Sequence, residues 1–417
     1  MRALAGIDFG TSNSAVSYIH AGEVKMAEVE PGAELIPTAL FFMAETNRRL
    51  YGNEAIQAFL NQSEGRFMRS IKSILGTSMM DAYTRVNKYN IDFKDIIRYF
   101  ISHLKTRLET EAGDKELSVV FGRPVKFNED NEALDRQGED MLRSIAGMTG
   151  FKEVEFQYEP IAAAFLHERE LSGEKLAMVL DIGGGTSDFA IIKIGEKLRD
   201  KIDRLGDILA CTGLRLGGND FDKDLNFFSF MPLFGKDASI TEKKLPAPSH
   251  IYYQLSDWSG INTMYDRDNM RSIRDMCRES NDKEKTNRLL HLVSTQRAHE
   301  LLGLAEETKI RLTREDPVNC NLGPVLDELS VTVTRDEFNG YIQGYYEKIQ
   351  KALDECIRQA GKRNTDIELV ILTGGSTDII RIKELTQKTF PQALISGQNK
   401  FSSVCQGLAY DAQRRFG

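Results

Sequence analysis

Two short stretches of the chain carry residues suited to hold a phosphorylated ligand. Residues 3–19 read ALAGIDFGTSNSAVSYI, and residues 177–194 read AMVLDIGGGTSDFAIIKI. Each runs from apolar residues through an aspartate into a turn containing Gly, Thr and Ser, then out into a second apolar run. The pattern predicts a strand–turn–strand hairpin whose glycines admit positive φ. Such a turn points several backbone N–H groups at one place, and that concave cluster holds phosphate oxygens without side-chain charge. Gly10, Thr11 and Ser12 make the first turn; Gly183, Gly184, Gly185 and Thr186 make the second. Two of them facing each other would clamp a di- or triphosphate. Asp8 precedes the first turn, Asp181 precedes the second and Asp188 follows it. Magnesium keeps most of its waters and takes one or two carboxylates beside substrate phosphates, which makes these acids the candidate Mg2+ site. Neither GxxxxGKS/T nor GxGxxG occurs, which argues against a P-loop or a dinucleotide fingerprint.

The elements that must position these turns alternate in type. Helical periodicity over 95–111, a buried strand over 117–121, a helix over 131–149 and a short strand over 156–158 follow one another. Pro160 then opens an Ala-rich helix, proline being tolerated in the first turn. A third strand–turn unit, ELVILTGGSTDIIRI at 368–382, leads into a helix starting near Asp378. Strands alternating with helices predict α/β lobes. The two echoing hairpins lie too far apart for a solenoid and suit two related domains. Residues 229–290 break the alternation by mixing Pro, Asn, Ser and Asp with aromatics and the only tryptophan, Trp258; they read as a loop-rich, mostly helical insertion.

With 417 residues, 41% of them hydrophobic, the chain exceeds the usual domain of about 100–200 residues and is expected to form two lobes. The net charge of −8 and the lack of a basic block disfavour a nucleic-acid partner. Cys211, Cys277, Cys320, Cys356 and Cys405 form no CxxC pair and are odd in number, which fits a reducing compartment. No apolar run reaches the roughly 18 residues needed to span a bilayer. The motif-bearing strand begins too early to leave room for a signal peptide. A cytoplasmic protein without a membrane partner is expected.

Five blocks in order, GIDFGTSNS (6–14), YEPIAAAF (158–165), LDIGGGTSD (180–188), RLGGNDFD (215–222) and LTGGST (372–377), resemble the signature segments of the 70-kDa heat-shock protein (DnaK-like) ATPase domain. The resemblance spans nearly the whole chain and is weakest over 40–65 and 229–290. FQYEP, GGNDFD and MPLFG most resemble a shorter, YegD-like branch of that family. The resemblance implies an actin-like, ribonuclease H-like α/β fold of two lobes, each a mixed sheet flanked by helices, with a nucleotide cleft between them. Lobe I is expected over 1–172, with its core at 1–37 and 116–172, a smaller subdomain at 38–115, and a closing helix at 402–417. Lobe II is expected over 173–401, with its core at 173–226 and 325–401 and a smaller subdomain at 227–324.

The resemblance further implies ATP/ADP as ligand with Mg2+, and catalytic roles for Lys72, Glu159, Asp181 and Thr186. Lys72, in IKSILG, would neutralise charge on the γ-phosphate, and Glu159 would act near the metal through water. Gly10, Thr11, Ser12, Asn13, Gly183, Gly184, Gly185, Thr186, Gly217, Gly218, Gly374, Gly375 and Ser376 would line the nucleotide. Glu306, Lys309 and Thr313 would grip ribose and adenine, and Asp8, Asp181 and Asp188 would hold the metal mostly through water. Pro124, in GRPVKFN, matches a proline that relays nucleotide state to a partner domain. Two stacking arginines of the family are replaced here by Ile310 and Asp378, neither of which reproduces a planar guanidinium; looser base selectivity is implied.

The recognisable blocks end with SSVCQGLAYDAQRRFG (402–417), where family chaperones continue into a peptide-binding domain. The leading expectation is therefore a slow ATPase working as a nucleotide-driven switch without a peptide-binding domain, read by an unidentified protein partner or client. Three alternatives share the fold. A small-molecule kinase would need a general base such as Asp181 aimed at a substrate hydroxyl, and no sugar-binding motif is evident. An actin-like assembly scaffold would need head-to-tail contacts. An activator of radical dehydratases would need cysteines bridging an iron–sulfur cluster, which five scattered cysteines do not suggest.

Overall fold

The two echoing segments fold into two sheets of matching design. In the first, the strand order is Glu153–Tyr158, Leu117–Arg123, Ala3–Asp8, Asn13–His20, Glu23–Met26, with Ile36–Pro37 also pairing with Asn13–His20. In the second it is Leu394–Ser396, Leu369–Thr373, Lys175–Ile182, Ser187–Ile194, Ile208–Leu214. Each sheet pairs its motif strand antiparallel with the hairpin partner and parallel with the strand on the other side. The computed structural model describes residues 3–46, 48–86, 89–240, 245–326 and 328–417, so residues 241–244 of the 229–290 stretch lie outside the described residues.

Residues 1–217, 348–377 and 383–417 form one compact unit holding both sheets; residues 218–347 and 378–382 form a second. Within the first unit, helices Glu159–Glu168 and Ser403–Phe416 share one core with strands of both sheets, gathering Val120, Ile161, Val179, Ile192, Ile371 and Leu408. This explains the alanine run at 162–164: a helix covered on every side is apolar all round, and small side chains let its neighbours come close. A Cβ on Gly407 would overlap the Ala162 carbonyl, so the two helices meet backbone to backbone.

The other face of the first sheet is covered by helices Phe93–Ala112 and Glu132–Thr149, whose Phe100, Leu104 and Ile145 pack with Ile7, Val16 and Val119. Both helices start and stop where local chemistry dictates. Asp92 and Asn131 cap their first N–H groups, and Gly113 and Gly150 end them in the left-handed conformation.

In the second unit the 229–290 stretch is mostly helical, as expected. It includes helices Ser249–Leu255, Arg267–Glu279 and Lys283–Ser294. A π-helical turn, Asn226–Phe230, extends helix Gly218–Leu225. No helix among the described residues is long and apolar enough to cross a membrane.

Candidate active site

The first Gly/Thr/Ser turn joins Ala3–Asp8 to Asn13–His20 and is braced by Thr38. The Thr38 hydroxyl donates to the Gly10 carbonyl at 2.8 Å, its N–H donates to the Ser12 carbonyl at 2.9 Å, and Ser14 shares a 2.8 Å hydroxyl bond with it. In the second turn the Gly183 N–H donates to the Thr186 carbonyl at 3.0 Å. The two turns meet, since a Cβ on Gly185 would stand 2.7 Å from Thr11 Oγ1.

Two further predicted segments close on the second turn. A Cβ on Gly217 would lie 2.7 Å from Gly183 O, Gly184 C and Gly185 N, and the Ser376 hydroxyl donates to Gly183 O at 3.2 Å. Gly374 has φ +78°, whereas Gly10, Gly183, Gly184 and Gly185 are not among the positive-φ residues. The expected positive φ in the first two turns is therefore corrected. At Gly185, close backbone approach to the opposing turn is what demands glycine.

The strand register fixes the acids. Asp181 stands directly opposite Asp188 across the antiparallel pair, a like-charge placement that works against stability. Asp188 Oδ1 accepts from the Val125 N–H at 2.7 Å, and the Thr186 hydroxyl also bonds this carboxylate. Its Oδ2 is buried without a hydrogen-bond partner.

Lys72 sits on the short 3-10 turn Ile71–Ile74, opened by Ser70 in the left-handed region at φ 57°. Its ammonium lies 2.5 Å from Glu159 Oε1, and both side chains are buried. Glu159 occupies the first turn of its helix, where the dipole favours a carboxylate. The Arg215 guanidinium donates to the Ser73 carbonyl and ties this turn to the RLGG segment.

One ammonium thus serves four carboxylates. Burial, then the charge of Glu159, pushes Asp8 up to about 7. Burial and Glu159 push Asp188 up to about 8 against its two hydrogen bonds. Burial, followed by Glu159, Asp188 and Asp8, raises Asp181 well above the usual carboxylate range. Burial opposes charge on Lys72, yet Glu159, Asp8 and Asp188 hold its pKa above the ordinary value.

The deficit of positive charge, the hard oxygen donors and the orphaned Asp188 Oδ2 fit a divalent cation such as Mg2+. Among the described residues no three His, Cys, Asp or Glu side chains form a direct ligand set.

The remaining predicted residues lie in or at the start of the second unit. Gly218 opens helix Gly218–Leu225. On helix Ala298–Leu312, Ile310 is 54% exposed, Glu306 is half-buried, and the Thr313 hydroxyl at its end turns back to Ile310 O at 2.7 Å. Asp378 is half-buried. Lys309, which the resemblance sets beside these residues at the nucleotide, is buried in the structure. Its ammonium is 2.7 Å from buried Asp222 and donates to Gly218 O at 3.2 Å, because helix Gly218–Leu225 packs against its own helix. Sequence reasoning also missed Thr38, Arg215 and the Val125 N–H. Thr38 looks like an ordinary polar residue, Arg215 stands in the RLGGNDFD block but its contact partner Ser73 is distant in sequence, and Val125 acts through backbone.

The family model described as Hsp70 protein matches residues 4–247 and 268–414, passing over 248–267 in the helical stretch around Trp258. The match takes in both turns, the acid cluster, Lys72 and Glu159. The paired mixed sheets are those of the actin-like ATPase fold, on which this superfamily of nucleotide-binding chaperone ATPases is built. By this match over nearly its whole length, the chain belongs to the Hsp70 family.

Proposed function

We propose that this protein is a slow, Mg2+-dependent ATPase of the YegD-like branch, converting ATP to ADP and phosphate and serving as a conformational switch for a protein partner. The carrying observation is the convergence of Thr11 on Gly185 beside the Lys72–Glu159 pair and the three aspartates. The backbone N–H groups of both turns would cradle the phosphate oxygens. Asp8 and Asp188 would hold the hydrated Mg2+, whose charge offsets that of the phosphates. Lys72, already an ammonium, would share its protons between Glu159 and the γ-phosphate, stabilising charge that develops there.

Asp181, with its raised affinity for a proton, suits a general base toward the attacking water. The water oxygen bonds to the γ-phosphorus, the bond to the bridging oxygen breaks, ADP departs, and Asp181 takes the proton. Thr186 would keep Asp188 oriented through its hydroxyl. The Val125 N–H bond to Asp188 supports a line from the site to Pro124, the residue just before Val125.

Single-turnover phosphate release tests this reading. Release that needs Mg2+, needs no added acceptor and is lost in Lys72→Ala supports it. ADP formed only with a hydroxyl acceptor, and without free phosphate, would point instead to a kinase, and no phosphate release above background refutes hydrolysis.

A further inference from the structure

The turn that carries Lys72 is tied to both phosphate turns, by bonds that share no residue. On one side the Ser70 N–H donates to the Thr38 carbonyl at 3.1 Å, and Thr38 in turn braces the first phosphate turn at Gly10 and Ser12. On the other side the half-buried Arg215 donates from its guanidinium to the Ser73 carbonyl. Arg215 belongs to the segment that closes on the second phosphate turn. The next carbonyl along, Leu216 O, accepts from the buried Ser187 hydroxyl at 2.7 Å, and Gly217 packs closely against Gly183, Gly184 and Gly185.

The local bonding of the Lys72 turn leaves a place for such a tie. Ser70 O accepts from the Ser73 N–H at 3.0 Å and from the Ser73 hydroxyl at 2.8 Å. Lys72 O accepts from the Leu75 N–H at 3.0 Å, and Ile74 O accepts from the Thr77 N–H and hydroxyl at 3.1 and 2.7 Å. Those three carbonyls are used within the segment, whereas Ser73 O is bonded by a residue 142 positions away. The turn also opens on Ser70 at φ 57°, a conformation that a residue with a β-carbon keeps only where its surroundings hold it. A charged donor on a carbonyl makes a stronger bond than a neutral one. Ser73 follows Lys72 directly, so any drift of its carbonyl carries the lysine backbone with it.

We propose that Arg215 is a positioning residue for hydrolysis. It holds the Lys72 turn in register with the second phosphate turn, so that the ammonium meets the γ-phosphate where charge develops. This rests on the ATPase reading above. Arg215 acts on the chemical step through Lys72, while the phosphate affinity of the two turns is independent of it.

The test pairs single-turnover hydrolysis with equilibrium titration of ATP, both in Mg2+ and on the whole chain. Misplacing a reacting group by about 1 Å costs up to about 100-fold in rate, so Arg215→Ala should slow hydrolysis by about 10- to 100-fold. ATP affinity should stay within about three-fold, the split that marks an interaction made in the transition state. Arg215→Lys keeps a charged donor for the single carbonyl and should return the rate to within about five-fold of wild type. Should Arg215→Ala not fold, Arg215→Gln, with a shorter and neutral side chain, carries the same comparison. A rate within about two-fold of wild type, or a rate and an affinity that fall together, would overturn the positioning role and leave the ATPase reading in place. Wild-type protein that hydrolyses no ATP would overturn the ATPase reading and this inference with it.

Discussion

Asp188→Asn should stabilise the protein in the absence of metal while abolishing its response to Mg2+ and ATP. The aspartate is raised from 3.8 to about 8 by burial and by Glu159. At about 1.4 kcal/mol per pKa unit, keeping it ionised in the fold costs at most about 6 kcal/mol. Asp8 and Asp181 share the same field and share protons, so about 1–3 kcal/mol is the expected gain on removing the acid. Asparagine keeps an Oδ1 acceptor for the Val125 N–H.

The sign follows from the direction of the shift. With a folded pKa above the unfolded one, the fold binds more protons than the unfolded chain between about pH 4 and 8. The penalty is therefore absent below about pH 4, grows through that window and levels off above about pH 8. Chemical denaturation in EDTA should give the variant almost no advantage at pH 4.5 and about 1–3 kcal/mol at pH 8.5. Adding Mg2+ and ATP should reverse the order by stabilising only the wild type. A variant that is destabilised to the same extent at both pH values would refute the electrostatic reasoning.

Lys72→Met should lower single-turnover hydrolysis by about 100-fold or more, yet leave the ATP dissociation constant within about ten-fold, because its charge acts mainly on the developing transition state. Rapid-quench kinetics beside equilibrium titration separates the two effects. Gly217→Ala places a methyl 2.7 Å from three backbone atoms of the second turn; a loss of about 1–3 kcal/mol of stability, with weaker ATP binding, should appear in denaturation and titration. Lys309→Met removes the cation beside buried Asp222 and should destabilise the second unit by about 3 kcal/mol without any nucleotide. Trp258, the only tryptophan, lies in that unit and reports its unfolding by fluorescence, and Asp222→Asn in the Lys309→Met background should recover part of the loss.

Much of the fold was legible because it depends on local patterns. The echo between 3–19 and 177–194 reappears as two sheets with the same strand order and sense. Helices Phe93–Ala112 and Glu132–Thr149 carry their caps in the sequence. The acids beside the turns were legible as a group, because strand and turn fix their spacing.

What escaped is tertiary. Nothing in the residues around Lys309 says that another helix covers it and supplies Asp222. Positive φ is the reason a local pattern offers for a turn glycine, while Gly185 and Gly217 answer to close approach by Thr11 and by backbone brought from elsewhere. The contacts of Arg215 with Ser73 and of Val125 with Asp188 join segments distant in sequence, which no window spans.

The most direct test is titration of nucleotide-stripped protein with ATP at pH 7, with and without Mg2+, in buffers of different ionisation enthalpy. With Asp8 near 7 and Asp188 near 8, binding of the metal–nucleotide complex at this cluster should strengthen ATP affinity at least about ten-fold over EDTA and release about one proton. ATP binding that ignores Mg2+ and releases no proton would contradict a metal-bearing acid cluster at the heart of the site.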